Sequence, residues 1–287
     1  MNRLPPSPPA SACAGAALPT PTVLSTAQPA HPTRARALLL AAGRGERMRP
    51  LTDATPKPLL VVQGQPLLQW HLEALAAAGL GAVAINTAWL GAQISDYFGS
   101  HFGLQPFADK REQLSIFYSQ EGRDFGAALE TAGGIARALP LLDDIFWLAA
   151  GDVFAPDFVF APEALHAFAA SPMLAHLWLV PNPAHHPRGD FGLSPDGLAL
   201  NLGAEHPGPR YTYSTIALLR AELFAAPWCD IPAGNPQGQA APLGPLLRRA
   251  MDAGRVSAQL YTGRWTDVGT PERLAALNTD ATSPLRQ

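Results

Sequence analysis

From residue 38 onward the chain alternates short apolar runs with segments in which apolar residues recur every three or four positions. The runs Leu38-Leu39-Leu40-Ala41-Ala42, Leu59-Leu60-Val61-Val62, Ala82-Val83-Ala84-Ile85-Asn86, Leu114 to Tyr118 and Ile145 to Ala149 are short and bounded by turn residues, which predicts buried strands. Gln63-Gly64 predicts a turn. Pro66 predicts the first position of a helix whose Leu68, Leu72 and Leu75 share one face and whose stop is Gly79. Further helices are predicted around Ala92 to Phe98 and from about Leu129 to Leu139. Strand and helix in alternation predict an α/β fold with a largely parallel sheet and helices on its faces.

The texture changes after Met173. Longer strand-like segments, Leu174 to Val180 and Tyr211 to Leu219, are separated by Pro- and Gly-rich loops, then followed by a helix near Leu243 to Ala253 and a strand over Val256 to Tyr261. Gly263-Arg264-Trp265-Thr266-Asp267-Val268-Gly269-Thr270-Pro271 leads into a last helix. No internal repeat is visible. The expectation is one domain over residues 34–280, made of two lobes with the functional site between them. Residues 1–33, dense in Pro, Ala, Ser and Thr, show no period and predict a disordered tail, because proline removes backbone donors and disfavours helix. The same prolines interrupt any apolar stretch of a secretory signal. Residues 281–287 are expected to form a second, short tail.

Composition narrows the function classes. In 287 residues, 47% hydrophobic content is ample for a sizeable core. A formal net charge of −3 argues against a general nucleic-acid surface. No apolar run approaches the ~20 residues of a membrane span. Two cysteines, Cys13 and Cys229, form neither a metal spacing nor a disulfide framework, which fits a reducing, cytoplasmic setting.

The candidate chemistry starts where the first strand stops, at Gly43-Arg44-Gly45-Glu46-Arg47. Glycines let such a loop turn sharply and bring N–H groups near phosphate oxygens, and guanidinium groups suit the same anions. The pattern matches neither the Gly-Lys-Ser/Thr phosphate loop nor the dinucleotide pattern G-x-G-x-x-G. In open α/β sheets ligands bind beyond the carboxyl ends of the strands, where Gly43 and Asp152 are expected to fall. Asp152, and Asp267 in Trp265-Thr266-Asp267-Val268-Gly269, are hard oxygen donors of the kind Mg²⁺ takes in ones or twos.

Gly43-x-Gly45-x-Arg47-Met48-x-Pro50-Leu51-Thr52 with Pro56-Lys57-Pro58 resembles the signature of the sugar-1-phosphate nucleotidyltransferases, and the resemblance covers roughly residues 34 to 278. It implies the GT-A-like fold, a Rossmann-like, largely parallel mixed sheet with helices on both faces. It also implies Arg47 and Lys57 as the catalytic cations on the phosphates, and Asp152 and Asp267 as ligands of Mg²⁺. The nucleotide is expected against Ala41, Ala42, Gly43 and Gly45, with the base pocket completed by Glu121-Gly122 or by Glu130-Thr131-Ala132-Gly133-Gly134. Within the family the chain is most similar to the uridylyltransferases of cell-wall muramic acid recycling. That likeness implies UTP and N-acetyl-α-muramic acid 1-phosphate as partners, without nucleic acid or membrane. The loop Asn182-Pro183-Ala184-His185-His186-Pro187-Arg188-Gly189-Asp190-Phe191 shares the likeness: His186, Arg188 and Asp190 are expected at the sugar, with Arg188 or a histidine facing the lactyl carboxylate. Asn86-Thr87-Ala88-Trp89 shares the likeness too, which implies Asn86 as a further sugar contact, while Trp89 is either a sugar contact or core. The alternatives are mannose 1-phosphate with GTP, glucose 1-phosphate with UTP or dTTP, or a non-catalytic regulatory relative that binds nucleotide sugars.

Overall fold

The computed structural model describes residues 34–103, 113–203 and 205–280. Both expected tails, 1–33 and 281–287, lie outside the described residues. The chain enters through β1 (Ala35–Ala41), passes a short helix α1 (Leu51–Ala54), and makes a hairpin of β2 (Val61–Val62) and β3 (Gln65–Pro66). Helix α2 (Leu67–Ala77), β4 (Ala82–Thr87), α3 (Gly91–Phe98), β5 (His101–Phe102) and β6 (Leu114–Gln120) follow. Next come α4 (Glu121–Phe125), α5 (Glu130–Ala138), β7 (Leu142–Ala150), β8 (Val153–Phe154) and α6 (Pro162–Ala169). The second half contributes β9 (Ala175–Val180), β10 (Gly192–Leu193), β11 (Ala199–Leu200), β12 (Thr212–Arg220), α7 (Leu243–Asp252), β13 (Val256–Leu260), β14 (Thr266–Asp267) and α8 (Pro271–Asp280).

Eight strands form one sheet in the order β13-β9-β12-β7-β1-β4-β6-β5. The β7-β1-β4-β6 centre is parallel, as is β13 with β9, whereas β12 runs antiparallel to both neighbours and β5 antiparallel to β6. The fold is therefore the α/β, Rossmann-like, largely parallel mixed sheet that the alternation predicts. Successive residues of β1 point to opposite faces: Leu38 packs with α5 and α7 residues such as Ile135 and Leu247, while Ala37 and Leu39 pack with α2, α3 and α6 through Leu72, Ile94 and Phe168. Helices thus cover both faces.

Two local expectations shift. Leu59 closes a 3₁₀ turn over Lys57–Leu59, and only Val61 and Val62 pair as strand, because Pro58 has no N–H to donate to a ladder. Helix α2 begins at Leu67 because Pro66 is still extended, at ψ 143°, and pairs with Val61 across the hairpin. The turn between them places Gln63 at φ 50° and Gly64 at φ 92°, the pair of positive angles that a two-residue hairpin needs. Among the described residues no helix is long and apolar enough to cross a membrane.

Candidate active site

The parallel strands β1, β4 and β7 end together, and the chain segments leaving them enclose a cavity of about 730 Å³. Ala41, Ala42 and Gly43 line it from β1, Asn86 from β4, Ala150 and Asp152 from β7, and Lys57 and Pro58 from the turn after α1. Glu130 and Thr131, at the start of α5, form another wall. The remaining side is Asp190, Phe191, Tyr213, Thr215, Leu247 and Arg248, all from the second half of the chain.

The glycine loop is braced from below. Gly45 sits at φ 68°, and a Cβ there would lie 3.0 Å from Thr52 Cγ2 and 3.3 Å from Lys57 Cβ, so a side chain would be strained and crowded at once. Its carbonyl accepts from Thr52 Oγ1 and Met48 N, each at 2.8 Å. Trp89 donates its indole N–H to Thr52 O at 2.8 Å, and the Arg44 guanidinium lies 3.6 Å above its ring. Trp89 is therefore half-buried support for the loop and lines no part of the cavity. Arg47 stands exposed in the 3₁₀ turn Glu46–Met48, outside the cavity lining and with no ion pair among the described residues.

Lys57 is 7% exposed and its ammonium pairs with Asp152 Oδ2 inside the cavity. Taking an amine out of water is costly unless it meets an opposite charge, and Asp152 supplies one beside Lys57 at the cavity floor. Asp267 reaches Asp152 through backbone pairing: in the two-stranded β8–β14 ladder Asp267 faces Val153, and Val268 N donates to Asp152 O at 2.9 Å. One Asp267 oxygen meets Arg273 Nη1 at 2.9 Å and His185 Nε2 at 2.7 Å. Among the described residues no group of three or more His, Cys, Asp or Glu gathers as a metal cage. Asp152 in the lining is a hard oxygen donor of the kind a small cation takes in ones or twos beside phosphate and water, whereas Asp267 lies outside the lining.

Behind the wall that Ala41 and the start of α5 form lies a buried polar network. Ala41 N donates to Asn86 Oδ1 at 2.8 Å, Asn86 Nδ2 donates to Glu121 Oε1 at 2.7 Å, and Leu129 N donates to Glu121 Oε2 at 2.8 Å. Glu121 is 0% exposed, and burial pushes its carboxyl above the ordinary carboxylate range, against the hydrogen bonds from Leu129 and Asn86. Asn86 reaches the cavity surface with its oxygen and one amide N–H bonded into this network, and Glu121 lies behind the lining. Glu130 does line the cavity, held at φ 55° where a non-glycine residue is uncommon.

On the side built by the second half of the chain, Asp190 is in the lining, its Oδ2 accepting from Tyr213 N at 2.8 Å and its Oδ1 meeting His186 Nε2 at 3.1 Å. His186 and Arg188 lie outside the lining, and Arg188 is exposed. The cation that does face the cavity there is Arg248 of α7, whose guanidinium lies 5.0 Å from the Phe191 ring centre and donates to Asn201 Oδ1 at 2.7 Å. Sequence reasoning missed Arg248, Tyr213, Thr215 and Arg273. Arg248 and Arg249 are adjacent in one helix, and only the buried run Leu243, Leu246, Leu247, Ala250 could have told which turns inward.

Residues 37–153 match the sequence profile of the MobA-like NTP transferase domain. Together with full-length likeness to curated enzymes, this match means that the chain belongs to the sugar-1-phosphate nucleotidyltransferases. It is 46% identical over 243 residues to N-acetylmuramate alpha-1-phosphate uridylyltransferase of Neisseria meningitidis serogroup B, covering 83% of this chain and 95% of that one. It is 30% identical to the enzyme of the same name from Caulobacter vibrioides, covering 84% and 94%. The fold is shared with a solved structure of a putative glucose-1-phosphate thymidylyltransferase from Bacillus anthracis, at TM-score 0.68 and 19% identity over 86% of this chain and 94% of that one. Such enzymes typically work with a divalent metal, and the relatives' names describe nucleotidyl transfer onto a sugar phosphate.

Proposed function

We propose that this protein transfers the uridylyl group of UTP to N-acetyl-α-muramic acid 1-phosphate, releasing UDP-N-acetylmuramic acid and pyrophosphate, with Mg²⁺ as its metal and cell-wall sugar recycling as its setting. The observation that carries the reading is the single cavity that has a glycine loop and the Lys57–Asp152 pair on one side and Arg248 with Asp190 on the other. A nucleoside triphosphate and an acidic sugar phosphate need these two ends. The 46% identity to the Neisseria enzyme supports the choice of base and acceptor.

In this reading the backbone of Ala41 to Gly43 and the Glu130–Thr131 wall hold the base, while Gly45 and Arg47 meet the triphosphate. Asp152 and Asp267 hold Mg²⁺, which when bound offsets the phosphate charge that otherwise keeps two anions apart. Lys57, already inside the cavity, offers its side-chain nitrogen to the same oxygens, and a donor held in place needs little reorganisation during reaction. An oxygen of the sugar phosphate attacks the α-phosphorus, the bond from that phosphorus to the bridging oxygen of the β-phosphate breaks, and pyrophosphate leaves. The acceptor is itself the nucleophile, so no covalent enzyme intermediate is needed. Orientation of the two substrates in line is the remaining contribution of the cavity walls. Asp190 and Phe191 border the sugar, and Arg248 offers a cation to the lactyl carboxylate.

The test is pyrophosphate release with UTP, GTP and dTTP against muramate, mannose and glucose 1-phosphates. Release with UTP and the muramate ester above all other pairs supports the reading. Release with GTP and mannose 1-phosphate, or with dTTP and glucose 1-phosphate, would replace the acceptor and base; no release with any pair would favour a non-catalytic nucleotide-sugar binder.

A further inference from the structure

Strand β12 is interrupted where it passes the cavity. Its pairing with β9 runs Thr212 to Val180 and Tyr213 to Leu179, then resumes at Ala217 with Leu177, so the β12 side carries extra residues in a bulge. Bulges redirect side chains and are frequent beside active sites. This one is firmly bolted: Ser214 Oγ donates to Trp178 O at 2.6 Å and accepts from Ile216 N at 3.1 Å, and the Trp265 indole N–H donates to Ser214 O at 3.0 Å. At its apex stands Thr215, with φ 61°. A β-branched residue is a genuine outlier in this region, where glycine would sit without cost. Strain of this kind persists only where surrounding contacts impose it, and the side chain that bears it here faces the cavity half-buried.

Thr215 also occupies a junction. Two residues before it, Tyr213 N holds Asp190; one residue after it, Ile216 pairs with Ala149 of the strand that ends at Asp152. Its hydroxyl donates to Ser214 O at 2.6 Å, which spends the proton and leaves oxygen lone pairs free to accept.

We propose that Thr215 is a specificity-determining residue for the acceptor: its hydroxyl oxygen accepts from a hydroxyl or amide of the sugar phosphate, and its methyl group limits the depth of that half of the cavity. The inference rests on the proposed function for the identity of the acceptor, but its test does not, because the acceptor used is whichever sugar 1-phosphate the wild type turns over fastest. Loss of all turnover in the wild type would sink the function reading and this inference with it; a shift to another acceptor would leave this inference standing on that acceptor.

Thr215→Gly and Thr215→Ser are compared with wild type by melting temperature, by KM for UTP and KM for the acceptor, and by relative turnover of the acceptor and its nearest rival sugar phosphate. The glycine variant should melt at the same temperature or higher, raise the acceptor KM at least fivefold, keep the UTP KM within twofold, and discriminate less between sugars. The serine variant, which retains the hydroxyl, should keep the acceptor KM within twofold. A glycine variant with unchanged acceptor KM and unchanged discrimination would overturn the proposal, since the strain would then serve the bulge alone. Equal rises in both KM values, or a fall in melting temperature with them, would also overturn it by showing that the residue supports the whole site.

Discussion

Replacing Gly134 with alanine tests whether the buried network behind the cavity wall is as tightly built as its geometry states. Gly134 lies in α5, where alanine is ordinarily the better residue by ~1 kcal/mol. Here a Cβ would lie 2.5 Å from Glu121 Oε1 and 2.9 Å from Asn86 Nδ2, and neither group can swing away, because both are buried and bonded to each other and to the backbone of Ala41 and Leu129. Overpacking a closed interior costs roughly 1–3 kcal/mol. Parting Glu121 from its amide donor leaves a buried acceptor unmet, for about 1–3 kcal/mol more. After the helix preference of ~1 kcal/mol is subtracted the variant should lose about 1–5 kcal/mol, which in a domain of 150–250 residues lowers Tm by about 2–20 °C. The network spans Ala41 and Leu129, so the wall against the base should move too, raising the KM for UTP. Gly244→Ala is the matched control: it is also helical, nothing lies within 4 Å of its Cβ position, and its stability should stay level or rise. Thermal denaturation of the two variants beside wild type decides the matter. A Gly134→Ala protein that melts with or above wild type would refute the reasoning, because the helix gain would then have been realised with no packing conflict to oppose it.

Other consequences follow from the same geometry. Asp152→Asn and Asp267→Asn each remove a hard anionic oxygen with little change of shape, so each should lower kcat by roughly a hundredfold or more, with excess Mg²⁺ restoring part at best; near-normal steady-state turnover in either would remove that residue from the metal site. Arg248→Met keeps the apolar stem and deletes the charge, and loss of a charge-assisted hydrogen bond of about 1.5–3 kcal/mol should raise the KM for the muramate ester roughly ten- to a hundredfold. His186→Ala and Arg188→Ala, outside the cavity lining, should change it less; the reverse ranking would return the carboxylate to the histidine loop. For Glu121 the sign is fixed by burial: its folded pKa lies above its unfolded value, so its contribution to stability is fully present below the unfolded pKa and is lost as pH rises through the folded one. Urea midpoints from about pH 4 to pH 8 should therefore show a downward slope in wild type that Glu121→Gln, which cannot ionise, lacks. Parallel slopes in the two proteins would assign the effect to another group.

Much of the scaffold could be read from the chain because its centre obeys simple periods. The parallel strands β1, β4 and β7 are buried on both faces, so they appear as unbroken apolar runs, and the glycine loop announces itself by the abrupt stop after Ala42. What could not be read is contact made by backbone register. Asp152 and Asp267 are joined by a ladder only two residues long, and two-residue strands carry no period. The bulge at Ser214 and Thr215 is hidden for a similar reason: Thr212-Tyr213-Ser214-Thr215-Ile216 reads as ordinary strand, and the extra residues emerge only against β9. Glu121 and Asn86 were legible as polar residues at strand ends, but the bond between them, which frames the cavity from behind, was not. The histidine loop is conspicuous in the sequence through its charge. It carries the conspicuous cations, yet His186 is engaged by Asp190 and His185 by Asp267, while the helix face that turns Arg248 inward carries no motif.

The central claim is that one cavity joins UTP to an acidic sugar phosphate, and an acceptor competition tests it most directly. The full chain is given UTP, Mg²⁺ and equal concentrations of N-acetyl-α-muramic acid 1-phosphate and N-acetylglucosamine 1-phosphate, and the nucleotide sugars formed at early times are separated and weighed by mass spectrometry. With a cation on the cavity wall to meet the lactyl carboxylate, UDP-N-acetylmuramic acid should exceed UDP-N-acetylglucosamine by roughly tenfold or more. Equal amounts, or an excess of the uncharged product, would contradict the account.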